Sequence, residues 1–490
     1  MPEDNSKFVR EHNGRTLAAM PTQMVTADIV RLGDKILIPE EMDYADAIRT
    51  IKERAEYENK VTQMSTTIDV HPFDGANALV TVLSNIYGWA QGIPTPGFFG
   101  DEPPQMIDVE VGVGKTKLIP WGRFEVPNVK GFIQTHVTNK NGRVMFAITA
   151  EIVRRDEPTV RRIFDAVTAE LKGNSIYKGK ALKIRFKGDD GDVMSMPDIK
   201  FMTADLGPEN LIFSQTLMRM VTTNLFTPIS RAQECLENGI PIKRGVLLGG
   251  PYGTGKTLAA TAAAKLAVEA GITYIYIPRA DELSMAIQFA QQYQSPACVV
   301  FCEDIDRVVA GERSVAMDDI LNIIDGIDSK RSHTIVVLTT NHMELINPAM
   351  LRPGRLDAVI EVTAPDAEAV QKLVRLYGGS LVEGADLAPV AALLEGQIPA
   401  VIAEVVKRAK LAQMTYQPKG EPITKLTSDA LVDAAHTIKG QTELLKRAMT
   451  PPDAAPTIDG LMRAAMDDVV SGRVPTAHDN AKMVLRAVNK

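Results

Sequence analysis

The chain has 490 residues, of which 45% are hydrophobic and 23% are charged, a globular composition with room for roughly three domains. A net charge of −7 provides no overall basic surface for nucleic acid, and no apolar run is long enough to cross a bilayer. No apolar secretory segment follows the first residues, and three cysteines are too few for a disulfide framework, so we expect a cytoplasmic protein.

The first part of the chain mixes helical and strand patterns. Helices are predicted over about 39–60 and 77–89. Alternating apolar residues on both sides of the turn 139–142 predict a β-hairpin, and a further strand is predicted at 181–186. Together these elements predict an α+β N-terminal domain over residues 1–204.

One segment of this region imitates a phosphate-binding loop. Gly112-Val113-Gly114-Lys115-Thr116 has the Gly-Lys-Thr ending of such a loop, but Val109 stands where the first glycine of the motif belongs. No helix-forming run follows, so we interpret the segment as a strand or turn.

The second phosphate-loop candidate has the full pattern. Gly250 to Thr257 fits G-x-x-x-x-G-K-[ST] between a short apolar strand and an alanine-rich helix. The glycines let backbone N–H groups converge on phosphates, and the helix N-terminus adds positive charge. Lys256 would reach the β- and γ-phosphates, and the hydroxyl of Thr257 would bind Mg²⁺. The alternative is a chance glycine turn.

Apolar strands alternate with helices around this loop. They predict an α/β domain over residues 205–366, a parallel sheet flanked by helices on both faces. A helical lid over 367–450 is predicted next, and prolines at 451–456 separate it from a short helical tail, 451–490. The predicted strands are 245–248, 272–277, 297–302, 334–338 and 359–362.

Acidic residues follow the strand 297–302. Glu303 at the strand end is placed to hold Mg²⁺, and Asp304 is placed to orient or activate the attacking water. The alternative is a solvated acidic turn. Cys298 and Cys302 lie in the same apolar run and are interpreted as small buried thiols.

Polar residues also follow the strand 334–338. Asn341 would hydrogen-bond the γ-phosphate or the neighbouring water, although a lone Asn there is more often a turn residue. Arg352 and Arg355, beside Pro and Gly, would present guanidinium groups to a phosphate of a neighbouring subunit, an arrangement worth on the order of 10³–10⁵ in rate. The alternative is a surface salt-bridge turn.

These motifs, over about residues 206–450, resemble the AAA family of ATPases in the order that family uses. Gly250–Thr257 matches Walker A, 301–306 matches Walker B, Asn341 matches sensor 1, and Arg352 and Arg355 match the arginine fingers. The resemblance implies ATP and Mg²⁺ as cofactors, with Thr257 and Glu303 at the metal. It also implies a homo-hexameric, chaperone-like ring that remodels protein substrates. The residues assigned to nucleotide binding are Gly250, Pro251, Tyr252, Gly253, Thr254, Gly255, Lys256, Thr257, Leu258 and Ala400.

The sequence departs from the common AAA pattern at two places. Many members have Asp then Glu in Walker B, whereas this chain has Glu303 then Asp304, as in the branch that assembles respiratory complex III. The transmembrane helix of that branch is missing here, so its mitochondrial role is not transferred. The second strand is not followed by the aromatic-glycine pair of threading members; Phe289 and Tyr293 are interpreted as packing residues.

Three functions compete on this sequence. The first is a ring ATPase that remodels a protein or protein complex chosen by residues 1–204. The second is an oligomeric scaffold gated by nucleotide, with slow hydrolysis. The third, a DNA-linked motor, is disfavoured by the negative net charge and the lack of a basic run.

Overall fold

The structure is a computed structural model that describes residues 29–32, 35–39, 42–140, 142–305, 333–343 and 356–449. The chain divides into two compact units. The first contains residues up to 211 together with 215–251 and 255–362, and the second contains 212–214, 252–254 and the residues from 363 onward. No helix among the described residues combines the length and the apolar character that a membrane crossing needs.

The N-terminal part of the first unit is built on a five-stranded antiparallel sheet, whose strands in spatial order are β3 (Val61–Ile68), β11 (Arg143–Val153), β10 (Gly131–Lys140), β9 (Arg123–Phe124) and β4 (Gly92–Ile93). Helix α2 (Pro72–Tyr87) follows the cap residue His71 and is closed by the cap residue Gly88, whose φ is +84°. The predicted hairpin is confirmed, because β10 and β11 pair from Gly131–Ile152 to Lys140–Arg143. The elements are β1 (Val30–Leu32), β2 (Lys35–Leu37), α1 (Tyr44–Glu58), β3 (Val61–Ile68), α2 (Pro72–Tyr87), β4 (Gly92–Ile93), β9 (Arg123–Phe124), β10 (Gly131–Lys140), β11 (Arg143–Val153) and α3 (Glu157–Asn174).

Two separate hairpins follow β4 in the chain. The strands are β5 (Thr95–Gly97), β6 (Gly100–Glu102), β7 (Gln105–Gly112) and β8 (Lys115–Trp121). The imitation phosphate loop at 112–116 is the turn between β7 and β8, and Gly114 takes a φ of +63° there. The interpretation of this segment as strand and turn is therefore confirmed.

Seven described strands form the main sheet, in the order β13-β12-β15-β16-β17-β14-β18. All neighbours are parallel except β12 and β13. The strands are β12 (Ala181–Lys187), β13 (Val193–Phe201), β14 (Arg244–Gly249), β15 (Thr273–Ile277), β16 (Cys298–Cys302), β17 (Thr334–Thr340) and β18 (Ala358–Glu361). The α/β fold class with a parallel sheet is confirmed.

The main sheet reaches further towards the N-terminus than the sequence boundary at 204 suggests. Strand β12 pairs with β15 through Leu182 opposite Ile275, and β13 extends the sheet beyond it. Leu182 and Ile184 are fully buried in the same core as residues of α2 and α3. The physical reason is that β12 covers the edge of β15, which would otherwise present unpaired backbone groups.

Helices flank the main sheet as the strand-helix alternation predicts. The described ones are α4 (Gln215–Val221), α5 (Thr227–Ser230), α6 (Ala232–Glu237), α7 (Lys256–Glu269) and α8 (Leu283–Tyr293), with a π-helical turn at Thr222–Phe226 between α4 and α5. Small residues dominate α7, and its alanines 259, 260, 262, 263, 264 and 267 are fully buried, which allows close approach to the sheet.

The described part of the second unit is helical and has its own core. Val370, Leu373, Ile402 and Leu431 are buried there together, one or two from each of three helices. The helices are α9 (Ala367–Gly378), α10 (Ala388–Leu394), α11 (Pro399–Tyr416) and α12 (Ser428–Met449). The tail over 451–490 lies outside the described residues.

Candidate nucleotide-binding site

The phosphate loop joins the end of β14 to the start of α7. Gly250, Gly253 and Gly255 have φ values of +143°, +76° and +100°, which L side chains rarely adopt. A Cβ atom on Gly250 would lie 2.4 Å from the carbonyl oxygen of Val362, so only glycine fits there. The loop thereby makes the sharp turn that starts α7 beside the strand ends, and the positive end of the helix dipole favours an anion there.

Lys256 is the first residue of α7 and is only 5% exposed. Its Nζ atom donates hydrogen bonds to the carbonyl oxygens of Gly250 at 2.8 Å and Pro251 at 2.7 Å. The ammonium group therefore lies within the turn of the loop. This is the position from which a phosphate-loop lysine contacts the outer phosphates of a nucleotide.

Glu303 lies directly after β16 and has a partner on each carboxylate oxygen. The hydroxyl of Thr257 donates to Oε1 at 2.6 Å, and the hydroxyl of Tyr276 donates to Oε2 at 3.0 Å. Burial and the nearby Glu303 raise the pKa of Tyr276 to about 12, which keeps this hydroxyl protonated as a donor.

Asp304 is held by residues that follow or end the neighbouring strand β17. Its N–H donates to Oγ1 of Thr339 at 3.1 Å, and Nδ2 of Asn341 donates to its Oδ1 at 2.9 Å. Asp304 has a φ of +49°, an uncommon conformation for a residue other than glycine. Such strain is retained where the surroundings fix it, and it is concentrated at functional sites.

The side chains at this edge fit a magnesium ion. The hydroxyl of Thr257 and the carboxylate of Glu303 are hard oxygen donors that already lie together, and Mg²⁺ in nucleotide sites takes one or two such groups with phosphate and water oxygens. Within the described ranges, no cluster of three or more His, Cys, Asp or Glu residues is placed to hold a metal.

The structure brings most of the sequence-predicted residues to one edge of the main sheet. Thr254 is buried, whereas Tyr252 and Leu258 are exposed. Ala400 is the second residue of α11, in the second unit, and is exposed. Arg352 and Arg355 lie outside the described residues.

Sequence reasoning missed Tyr276 and Thr339, which hold the two acidic residues. Both hydroxyls lie near the carboxyl ends of β15 and β17, the two strands that pair with β16. The signal for these residues is therefore the strand order, which short sequence patterns do not provide.

The interpretation of Phe289 and Tyr293 as packing residues, and of two cysteines as buried thiols, is confirmed. Phe289 and Tyr293 are 4% and 3% exposed and contact each other with ring centroids 5.0 Å apart. Cys298 and Cys302 are fully buried, and burial raises the pKa of the Cys302 thiol to about 12, which leaves it unreactive.

A parallel sheet with a glycine loop on β14 and acidic side chains after β16 defines a phosphate-loop nucleotide-binding domain. Residues 246–364 match the family described as "ATPase family associated with various cellular activities (AAA)". These residues therefore form an AAA ATPase domain.

The chain is also similar to proteins named "ATP-dependent zinc metalloprotease FtsH". The protein of Rhodococcus erythropolis is 34% identical over 216 residues, which cover 40% of this chain and 25% of the relative. That of Corynebacterium glutamicum is 29% identical, covering 46% and 30%. That of Mycobacterium tuberculosis H37Rv is 33% identical, covering 41% and 28%. The similarity thus spans less than a third of each of these relatives.

Proposed function

We propose that this chain hydrolyses ATP with Mg²⁺ in a homo-hexameric ring and uses the hydrolysis to remodel or unfold a protein or protein complex. The observation that carries the proposal is the separation of two adjacent acidic residues into two environments. Glu303 is bonded to Thr257 and Tyr276, and Asp304 is bonded to Asn341. Adjacent carboxylates with different partners are suited to different roles.

In this proposal Glu303 and Thr257 would hold a magnesium ion, and the bound ion would supply positive charge at the phosphates. Lys256 binds the outer phosphates from within the loop. Asp304 accepts a proton from the attacking water, and Asn341 fixes the direction of its carboxylate. The fixed orientation lowers the cost of reaching a reactive geometry.

The ring is proposed because an arginine donated by a neighbouring subunit would complete each site. We assign this role to Arg352 and Arg355 from the sequence. ATP turnover per subunit should then rise steeply with protein concentration. Turnover that is constant on dilution, in a protein that is monomeric throughout, would contradict the shared site.

A mixing experiment tests the same point directly. Lys256→Ala should remove nucleotide binding in its own subunit but still donate Arg355, whereas Arg355→Ala should bind ATP without hydrolysing it. Each variant alone should be inactive, and mixed rings should recover part of the activity, because some sites combine an intact loop with an intact arginine. If the mixture stays inactive while mixed rings form, Arg355 does not act in a neighbouring site.

We further propose that residues 1–204 recognise the partner, with their last two strands, β12 and β13, joined to the main sheet of the ATPase subdomain. In this proposal 205–366 and 367–450 are the ATPase and lid subdomains, and 451–490 form a separate tail. Proteolysis is left out of the proposal, although the relatives' name includes it. None of the seven histidines is followed by glutamate, so the sequence has no His-Glu-x-x-His zinc motif.

The second candidate is an oligomeric scaffold that nucleotide assembles and hydrolysis merely resets. It is favoured by Asp304, since Asp is one methylene shorter than the Glu of the common AAA pattern and is already bonded to Asn341. Tight ATP binding with turnover near zero at every protein concentration, with and without a protein substrate, would support it over the remodelling ATPase.

A further inference from the structure

The hairpin β5–β6 ends in two adjacent phenylalanines that face solvent. Phe98 and Phe99 are 94% and 100% exposed, more than any other large hydrophobic side chain among the described residues. Their rings contact each other edge to face, with centroids 5.0 Å apart. The hairpin forms a two-stranded sheet of its own. We refer to Phe98 and Phe99 as the aromatic tip.

The aromatic tip is the loop of the hairpin. Gly97 pairs with Gly100, so Phe98 and Phe99 are the two residues of a tight hairpin loop. The fold buries neither ring, so packing within the described residues does not account for two bulky apolar side chains at these positions. Apolar side chains that are adjacent and exposed are typical of an interaction surface.

The base of the hairpin is stiff. Pro94 and Pro96 precede the tip, and Pro103 and Pro104 follow it, which restricts the backbone on both sides. A Cβ atom on Gly92 would lie 2.9 Å from Cβ of Pro104, so the base is closely packed. The aromatic tip is therefore presented by a restrained stem, which lowers the entropy lost on binding.

The charge beside the aromatic tip is negative. Asp101 and Glu102 are exposed on β6, and residues 91–104 contain no Lys or Arg. A Cβ atom on Gly97 would lie 2.6 Å from Oε1 of Glu102, so this carboxylate lies against the loop. An anionic bilayer would be repelled, whereas cationic groups beside an apolar surface would be attracted.

We propose that the aromatic tip is a docking site for apolar polypeptide segments flanked by Lys or Arg. The phenyl rings take the apolar side chains, and Asp101 and Glu102 pair with the flanking cations. This inference rests on the proposed action on proteins and adds the surface and the chemistry of the segment that is recognised.

Three labelled helical peptides serve as probes: one of Leu and Lys, one of Leu and Glu, and one of Ser and Lys. We expect the full chain to bind the Leu-Lys peptide in fluorescence anisotropy and to bind the other two at least about tenfold more weakly. The double variant Phe98→Ser, Phe99→Ser should weaken Leu-Lys binding by at least about tenfold. The matched control Tyr416→Ser removes a ring that is 89% exposed in the second unit and should change nothing.

A charge reversal, Asp101→Lys with Glu102→Lys, should shift the preference to the Leu-Glu peptide. Equal binding of the Leu-Lys peptide by wild type and the double phenylalanine variant would overturn the proposal. A fall in oligomeric mass of that variant would assign the tip to contacts between copies instead. Sedimentation of wild type, but not of the variant, with vesicles of phosphatidylcholine and phosphatidylserine would assign it to membranes.

Basal ATP turnover, measured without peptide, separates this inference from the proposed function. The double phenylalanine variant should retain wild-type turnover, since the tip lies outside the phosphate loop and the acidic pair. Absent turnover in wild type would remove the ATPase proposal while the peptide measurements still decide the docking proposal.

Discussion

The hydroxyl of Tyr276 donates a hydrogen bond to Oε2 of Glu303 at 3.0 Å, on the side of the carboxylate opposite to the bond from Thr257. Tyr276 lies on β15 and Glu303 follows β16, and the two strands are parallel neighbours. A glutamate has one more rotatable bond than the aspartate that many AAA proteins carry here. The tyrosine therefore restricts a side chain that would otherwise be less well fixed for the metal binding that we propose.

Tyr276→Phe should raise the Mg²⁺ concentration needed for half-maximal ATP turnover by about tenfold, because the loss of a group that orients a metal ligand typically costs 10- to 100-fold in affinity or activity. Nucleotide binding without metal should stay close to wild type, because Lys256 and the loop are unchanged. Titration with Mn²⁺, followed by electron paramagnetic resonance, measures the metal affinity independently of turnover.

Tyr274→Phe is the matched control. Tyr274 lies on the same strand, but its hydroxyl donates to the carbonyl oxygen of Ala260 at 2.8 Å and not to Glu303. This variant should lose some stability and keep the wild-type Mg²⁺ dependence. Equal metal dependence of Tyr276→Phe and wild type would show that Glu303 is oriented without the tyrosine.

Asp304→Asn should bind ATP and Mg²⁺ like wild type but turn ATP over at least about 10²-fold more slowly, because a positioned general base contributes about 10²–10⁴ in rate. Asn341→Ala should reduce turnover less, since Asp304 keeps its proton-accepting group and loses only a partner at 2.9 Å. Single-turnover kinetics with saturating ATP separates the chemical step from binding.

The double variant Asp304→Asn, Asn341→Ala completes the cycle for this pair. If Asn341 acts by orienting Asp304, the second change should have almost no effect once the first is present. If instead the two substitutions reduce turnover by factors that multiply in the double variant, Asn341 contacts the nucleotide or the water independently of Asp304.

The site was predictable where it depends on short segments of sequence. The phosphate loop is a local pattern, and Glu303, Asp304 and Asn341 each follow an apolar strand, so their common edge follows from parallel pairing. The bond between Asp304 and Asn341 was not predicted, since it depends on the left-handed conformation of Asp304. Tyr276 was missed because its role depends on which strand neighbours β16.

The extent of the main sheet was not predictable for a similar reason. The strand at 181–186 was recognised, but its pairing with β15 joins residues about 90 positions apart in the chain. Patterns of alternation identify strands and their buried faces, whereas the partner of an edge strand is decided by tertiary packing. The division at 204 therefore separated strands that share one sheet.

Asp74 provides a test of the buried polar contacts in the N-terminal part. It is 1% exposed and accepts bonds from Oγ of Ser175 at 2.6 Å and from the N–H of Ile176 at 3.0 Å. Burial raises its pKa to about 6. Because the folded state holds the proton more tightly, the stability that Asp74 contributes is present below pH 3.8 and is lost as the pH rises through about 6.

The free energy of unfolding of Asp74→Asn, minus that of wild type, should therefore increase by about 2 kcal/mol as the pH rises from about 4.5 to 7. The amide can still accept from Ile176 and can donate to Ser175. Urea unfolding at both pH values measures the difference. Burial lowers the pKa of His71 to about 3, which gives an opposite slope, but this contribution is common to both proteins and cancels. If the difference in free energy of unfolding between the two proteins does not change with pH, burial does not raise the pKa of Asp74.

Gly250→Ala should abolish tight nucleotide binding. The residue has a φ of +143°, and the added Cβ atom would lie 2.4 Å from the backbone oxygen of Val362, which cannot move without disturbing the pairing of β14 with β18.

Gly239→Ala is the control, because Gly239 also has a positive φ, +71°, but its Cβ atom would meet nothing within 4 Å. The control should lose about 1–2 kcal/mol of stability from backbone strain and keep its ATP affinity. Isothermal titration with ATP and thermal unfolding of both variants check the pair. Wild-type affinity in Gly250→Ala would mean that the loop can bind phosphate in a different conformation.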